Sequence, residues 1–163
     1  MMVQATGTPH RLVSEVAVLR PTASNLEAVL AMLARCSRAT RFHRFHGFTD
    51  GVAYYGALFR DRPVDHMLLA WHGSTCVGVA NLGVGATGDI DLAVLVEDAW
   101  QRRGIGSRLT ASLLVSARAT GVPTVHVDVL GDDLFIVQTL RRIGPLTVSI
   151  EFGIYSIDID ISR

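Results

Sequence analysis

Seven residues, Trp100 to Gly106 (WQRRGIG), place two glycines and two arginines between the apolar run LAVLV and the helix-like stretch SRLTASLLVSARATG. The chemistry such a turn can do is anion binding. The first N–H groups of a helix have no intrahelical acceptor and together carry about half a positive charge. Gly104 and Gly106 put no Cβ between the backbone and a ligand, and Arg102, Arg103 and Arg108 add formal charge. The segment QRRGIGSR therefore reads as a pyrophosphate cradle. Two other phosphate loops do not fit it. A Walker A loop ends in Gly-Lys-Ser/Thr, a triplet this chain lacks. A dinucleotide fingerprint needs a third small residue where Leu109 stands.

The elements that must position this turn follow from periodicity. Residues 14–20 and 88–96 read as strands, and 65–73 with 75–84 as a hairpin turning at Gly73-Ser74. Leu26, Val29, Leu30 and Leu33 mark one face of a helix over 22–36, capped by Thr22 or Ser24, with Glu27 completing a capping box. A short helix follows at 51–60. A longer one runs from about Gly104 to Thr120 and ends at Gly121. Residues 123–130 form a strand and 132–144 a helix stopped by Pro145. Two closing strands turn near Phe152-Gly153. This order predicts a mixed α/β layer arrangement.

At 163 residues the chain is sized for one domain, with residues 1–12 as a loose N-terminal arm. A 49% hydrophobic composition supplies a core without disulfides. Fifteen basic residues balance fifteen acidic ones, so no broad field draws nucleic acid or an anionic membrane, and any anion must be caught locally. Cys36 and Cys76 make neither a disulfide framework nor a metal site, and are expected as small buried residues. With no signal-like segment and no run of ~18 apolar residues, the expected setting is cytoplasmic.

Gln101-x-x-Gly104-x-Gly106 matches the Gln/Arg-x-x-Gly-x-Gly/Ala signature of the GCN5-related N-acetyltransferases, the GNAT superfamily. The element order over about 14–161 resembles that family, as do VEDAWQRRGIGSRL and VLGDDLFIVQTLRRIGP. The segment SRATRFHRFHG resembles part of the bacterial protein-lysine acetyltransferases within it. The resemblance implies a mostly antiparallel sheet of about seven strands, helices on both faces, and two splayed parallel strands at 89–96 and 123–130 holding acetyl-CoA. The backbone of Val94, Leu95 and Val96 would pair with the pantetheine arm like an added strand. Gln101 and the amides of Arg102, Arg103, Gly104, Ile105, Gly106 and Ser107 would take the pyrophosphate. Asp133 stands where the family carries a CoA-contacting asparagine, and Leu140 where it carries a general-acid tyrosine.

The reaction so implied is acetyl transfer to a primary amine in a ternary complex, and it needs a base. Asp91 lies near the glutamate of lysine-acetylating relatives, and Asp128 near that of relatives acting on N-terminal amines. Each sits in an apolar strand, where desolvation raises a carboxyl pKa. Asp133 and Leu140 motivate an alternative, an acyl-CoA-binding module without catalysis. His126 is expected as a satisfied structural histidine on the Asp128 face. Phe42 and Phe45 are expected in a core with Arg41 and Arg44 wet, and Asp158 and Asp160 on the solvent face of an exposed closing edge strand able to pair across a dimer. The expected partner is a small-molecule or protein amine, with no nucleic acid, membrane or metal involved.

Overall fold

Pairing between β-branched, alternating segments builds one sheet across the computed structural model, which describes residues 15–61, 66–85, 87–131 and 134–162. The expected arm at 1–12 lies outside these residues, as does Asp133. The strands are β1 (Val16–Leu19), β2 (Met67–His72), β3 (Thr75–Val84), β4 (Ile90–Val96), β5 (Thr124–Leu130), β6 (Leu146–Glu151) and β7 (Ile154–Asp160). Their order is β1-β2-β3-β4-β5-β7-β6. Among the described residues β4 and β5 are the parallel neighbours, and every other pair is antiparallel. The helices are α1 (Leu26–Arg35), α2 (Arg38–Phe45), α3 (Val52–Asp61), α4 (Ile105–Ala119) and α5 (Leu134–Arg141).

Alternation divides the sheet's side chains between two cores. Leu92, Val125, Val127, Val129, Ile157 and Ile159 pack with Ile105, Leu109 and Leu113 of α4 and with Val137 and Leu140 of α5. On the opposite face Leu69, Val79 and Leu95 pack with Val29, Met32 and Leu33 of α1 and with Tyr55 and Leu58 of α3. Helices therefore cover both faces, and β4 contributes to both cores through alternate residues.

Four local readings are corrected. The first helix opens with a 3-10 turn at Ala23–Asn25, and the Thr22 N–H donates to Asn25 Oδ1 at 2.7 Å, so Asn25 does what was expected of Glu27. Residues 38–45 form the additional helix α2, because Ser37 Oγ accepts the Thr40 N–H at 3.1 Å and caps it. Phe45 packs on the second core, while Phe42 leans on the exposed ring of Phe48 with centroids 5.0 Å apart, and Arg44 is half-buried among aromatic rings rather than wet. The closing strand β7 lies between β5 and β6, so the edge is β6 and Asp158 faces β5.

Candidate functional site

The helix α4 begins abruptly, and that leaves backbone amides bare at its start. Gly104 sits at φ 79° and Arg102 at φ 57°, both left-handed, so the chain turns sharply out of the Asp98–Trp100 turn. Gln101 N–H donates to Asp98 O at 3.3 Å, and the next backbone bond is Arg108 N–H to Gly104 O at 3.0 Å. Among the described residues no backbone carbonyl accepts from the six amides between them, 102 to 107. A Cβ built on Gly104 meets no protein atom within 4 Å, so the space above the turn is open. Gly106 packs against the end of β4, its would-be Cβ 3.7 Å from Val96 Cγ2.

Side chains brace this turn from three directions. Gln101 Nε2 donates to Val96 O and to Thr40 Oγ1, both at 3.0 Å, tying the end of β4 to α2. Asp98 accepts from the Ser37 N–H at 2.8 Å and from Thr40 Oγ1 at 2.9 Å. Arg35 Nε and Nη2 grip Glu97 Oε2 at 3.0 and 2.9 Å. The Arg103 guanidinium stacks on Trp100, 5.0 Å from the ring centroid. Arg108, expected to add charge here, instead reaches back to Val16 O on β1.

The strand beside the turn has one unpaired side. Glu97 N–H donates to Val77 O at 3.0 Å, which fixes Glu97 and Val77 as a hydrogen-bonded antiparallel pair. By alternation Leu95 also spends its backbone groups on β3, whereas Val94 and the Val96 N–H face away from it. On that side β5 meets β4 in register only at Asp91↔His126, and beyond that point the two strands splay. Of the three residues expected to offer backbone to the cofactor arm, Leu95 is thus used by the sheet. The splay opens a cleft of about 1200 Å³. It is lined by Gln101, Gly104 and Ser107 at the turn, by Val94 and Asp91 of β4, and by Arg44 of α2 and Tyr54 of α3.

Asp91 and Asp128 both line this cleft, with different surroundings. Across β3 the neighbour of Asp91 is Gly83, and a Cβ on Gly85 would lie 2.6 Å from Asp91 Oδ2. Its neighbours here are glycines, and among the described residues no side chain hydrogen-bonds that carboxylate. Burial pushes its pKa above the ordinary carboxylate value; Asp128 and Asp89 act the same way, and His126 opposes them. Asp128, by contrast, is engaged: Oδ1 accepts from Ser156 Oγ at 2.7 Å and meets His126 Nε2 at 3.1 Å. His126 Nδ1 lies 2.8 Å from Asp158 Oδ1, its cross-strand partner. The histidine is satisfied at both nitrogens, as expected, and Asp158 is its anchor.

That pairing has a pH signature. Burial lowers the His126 pKa, but hydrogen bonds from Asp158 and Asp128 outweigh it, and the net value rises above 6.5. Both nitrogens then donate, as only the imidazolium can. A histidine whose folded pKa is raised gives stability that is complete below 6.5 and lost as pH climbs through the raised folded value. Urea unfolding across that window is expected to show wild type losing about 1 kcal/mol or less, because the carboxylates are half exposed. His126→Gln is expected to lack the step, and an unchanged step in that variant would assign it elsewhere.

Sequence reasoning missed Thr40, Asn81 and Arg44. Thr40 joins Asp98 to Gln101, and Asn81 is a buried amide on β3 whose Nδ2 donates to Tyr54 Oη at 3.0 Å. Asn81 did carry a signal, as a polar residue inside the apolar run VGVANL. The two thiols are free and buried; burial pushes Cys36 to about 12 and Cys76 to about 11. Neither supplies a thiolate nucleophile near neutral pH. No helix among the described residues is long and apolar enough to cross a membrane.

Comparison with known proteins gives the same architecture. The model of the Acetyltransferase (GNAT) family matches residues 31–144. A stretch of 71 residues, 44% of this chain, is 34% identical to Acetyltransferase Pat of Mycolicibacterium smegmatis and spans 21% of that protein. The GNAT domain of S. lividans PAT superposes with a TM-score of 0.75 at 21% identity, covering 89% of this chain and 90% of that one. The structure of yncA from Salmonella typhimurium, solved with its cofactor acetyl-CoA, gives 0.68 at 15% identity, over 91% of this chain and 95% of that one.

Proposed function

The chain belongs to the GNAT acetyltransferase family, and on that premise we propose that it moves an acetyl group from acetyl-CoA to a primary amine by direct attack in a ternary complex. The observation that carries this reading is the continuity of one cleft: six amides without backbone acceptors at one end, the unpaired side of β4 in the middle, and the free carboxylate of Asp91 beyond it. The donor set suits the cosubstrate. Bare amides at a helix N-terminus, with Arg102 and Arg103 beside them, complement a diphosphate. Gly104 leaves the room it needs. Val94 and the Val96 N–H offer the extended arm a strand to pair with.

Acetyl-CoA supplies an activated thioester carbonyl. The chain's residues orient it and manage one proton. Asp91 is the group suited to take the proton of the attacking amine, directly or through a water, since it is free and its pKa is already raised toward the working range. Asp128 is less suited, being held by Ser156 and His126. Leu140, at the family's tyrosine position, is buried in the core and donates nothing, so the departing thiolate takes its proton from solvent or from Asp91. The preferred acceptor is a protein or peptide lysine, supported by the match to Acetyltransferase Pat and the resemblance of residues 37–47 to protein-lysine acetyltransferases. The chain matches only a fifth of that curated relative's length, so the acceptor rests on the local site.

Leu140 also favours a second reading, an acyl-CoA-binding module without turnover. Thiol release from acetyl-CoA across a panel of amines and lysine peptides separates the two. Amine-dependent release is the expected result, and CoA binding with no release from any acceptor would leave the binding module.

A further inference from the structure

The cleft is also lined by a half-buried cation that has no counter-anion among the described residues. The Arg44 guanidinium is enclosed by aromatic rings, 4.7 Å from the centroid of Phe45 and 4.9 Å from that of Tyr54, with Tyr55 at 6.0 Å. Its Nη2 makes a long contact of 3.4 Å to Asn81 Oδ1, and its Nε is buried with no hydrogen-bond partner. Among the described residues no carboxylate comes within ion-pair distance of it. Asp61, which lines the same cleft, pairs with Arg60 at 3.1 Å on the exposed side. Ring faces offset part of the cost of a half-buried guanidinium, but a charge with no carboxylate partner and an enclosed, idle Nε–H is a costly arrangement. It is relieved when an anion enters.

The position of Arg44 says which anion. Asn81 stands opposite Ala93 on β4, and Asp91 is two residues along that strand on the same face, about 7 Å away at the rise of a strand. Arg44 thus lies level with Ala93, one pleat from Asp91 and on the same sheet face, the face packed by α1 and α3 and opposite the one covered by α4, whose first turn carries the bare amides. Resting on the acetyltransferase reading above, we propose that Arg44 binds a carboxylate carried by the acceptor, so that the preferred amine bears a carboxylate a few bonds from the reacting nitrogen. The carboxylate belongs either to a free amino acid or to an acidic residue beside a peptide lysine. Its oxygens would take the Nη end of the guanidinium, since Nε is enclosed by protein.

Calorimetry on the CoA-saturated protein tests this without requiring turnover. One arm compares 5-aminopentanoate with its amide; the other compares acetyl-Lys-Asp-amide with acetyl-Lys-Asn-amide. Each pair differs by one negative charge. The acid of at least one pair is expected to bind about tenfold or more tightly than its neutral partner. The pair with the larger ratio identifies the source of the carboxylate. Arg44→Gln is expected to bring the ratio near one. If that variant fails to fold, Asn81→Asp places a fixed carboxylate beside Arg44 and is expected to abolish the preference in the same way. Equal affinity for acid and neutral partner, no binding of either acid, or a ratio that survives both substitutions overturns the proposal. Absence of CoA binding in the same protein would instead strike the acetyltransferase reading itself.

Discussion

Replacing Gly104 by aspartate is expected to weaken binding of CoA about 300-fold or more, while the isosteric asparagine weakens it only about tenfold. Gly104 has φ 79°, a conformation that asparagine and aspartate adopt more readily than other side-chain-bearing residues. A side chain there meets no protein atom within 4 Å, so both variants are expected to fold with unfolding midpoints close to one another. They differ in one charge. Asparagine intrudes on the ligand's space. Aspartate intrudes and also places a carboxylate among the free amides, where it competes for the same donors and repels a diphosphate. Two unit charges ~4 Å apart interact by about 1 to 4 kcal/mol between bulk water and a protein surface. Aspartate is therefore expected to bind CoA about 30-fold or more weakly than asparagine. Isothermal titration of the two variants reads this directly. Equal affinities would mean that the diphosphate lies away from the start of α4.

The second large effect is expected at Asp91. Asp91→Asn should reduce amine-dependent turnover by about 10²- to 10⁴-fold, the range for loss of a positioned general base, while CoA affinity holds. Asp128→Asn should cost less, because Asp128 acts on His126 and Ser156. Asp91→Asn should also make the protein more stable at neutral pH. Burial raises the folded-state pKa of Asp91 above 3.8, so the native state holds its proton more firmly than the unfolded chain does. Stability then falls as pH rises from the unfolded value through the raised folded one, and above that window the charged carboxylate remains a burden on the fold. Asparagine carries no such burden, so the variant gains on wild type above the window and matches it below. Kinetics and urea unfolding on one preparation test both halves. A variant that loses activity and stability together would assign Asp91 a structural role instead.

The two aspartates show what a sequence can and cannot convey. Both stand in apolar, alternating strands, and nothing local separates them. Strand order does: Asp91 faces the glycines of β3 and its end loop, while Asp128 faces Ser156 across β7. The sharp turn into α4 was legible because every part of it is local, with a strand, two glycines and a helix in thirty consecutive residues, 90–119. The lone parallel pair and the helices on both faces came from the family resemblance. Arg44 was misread because its spacing within α2 fits an outward cation, and only the docking of α3 brings Tyr54 and Tyr55 around it. Asp158 and Asp160 are exposed as expected, but the edge position of their strand was misread for a similar reason. The last strand to be made is inserted between β5 and β6, a crossover that alternation within β7 cannot reveal.

The central claim is that the start of α4 holds the diphosphate of CoA, and a crystal structure of the CoA complex tests it most directly. Diphosphate oxygens about 3 Å from amide nitrogens between Arg102 and Ser107, with the pantetheine arm laid along Val94 and Val96 toward Asp91, are the expected result. A diphosphate bound elsewhere, with those amides capped by side chains of the protein, would contradict it.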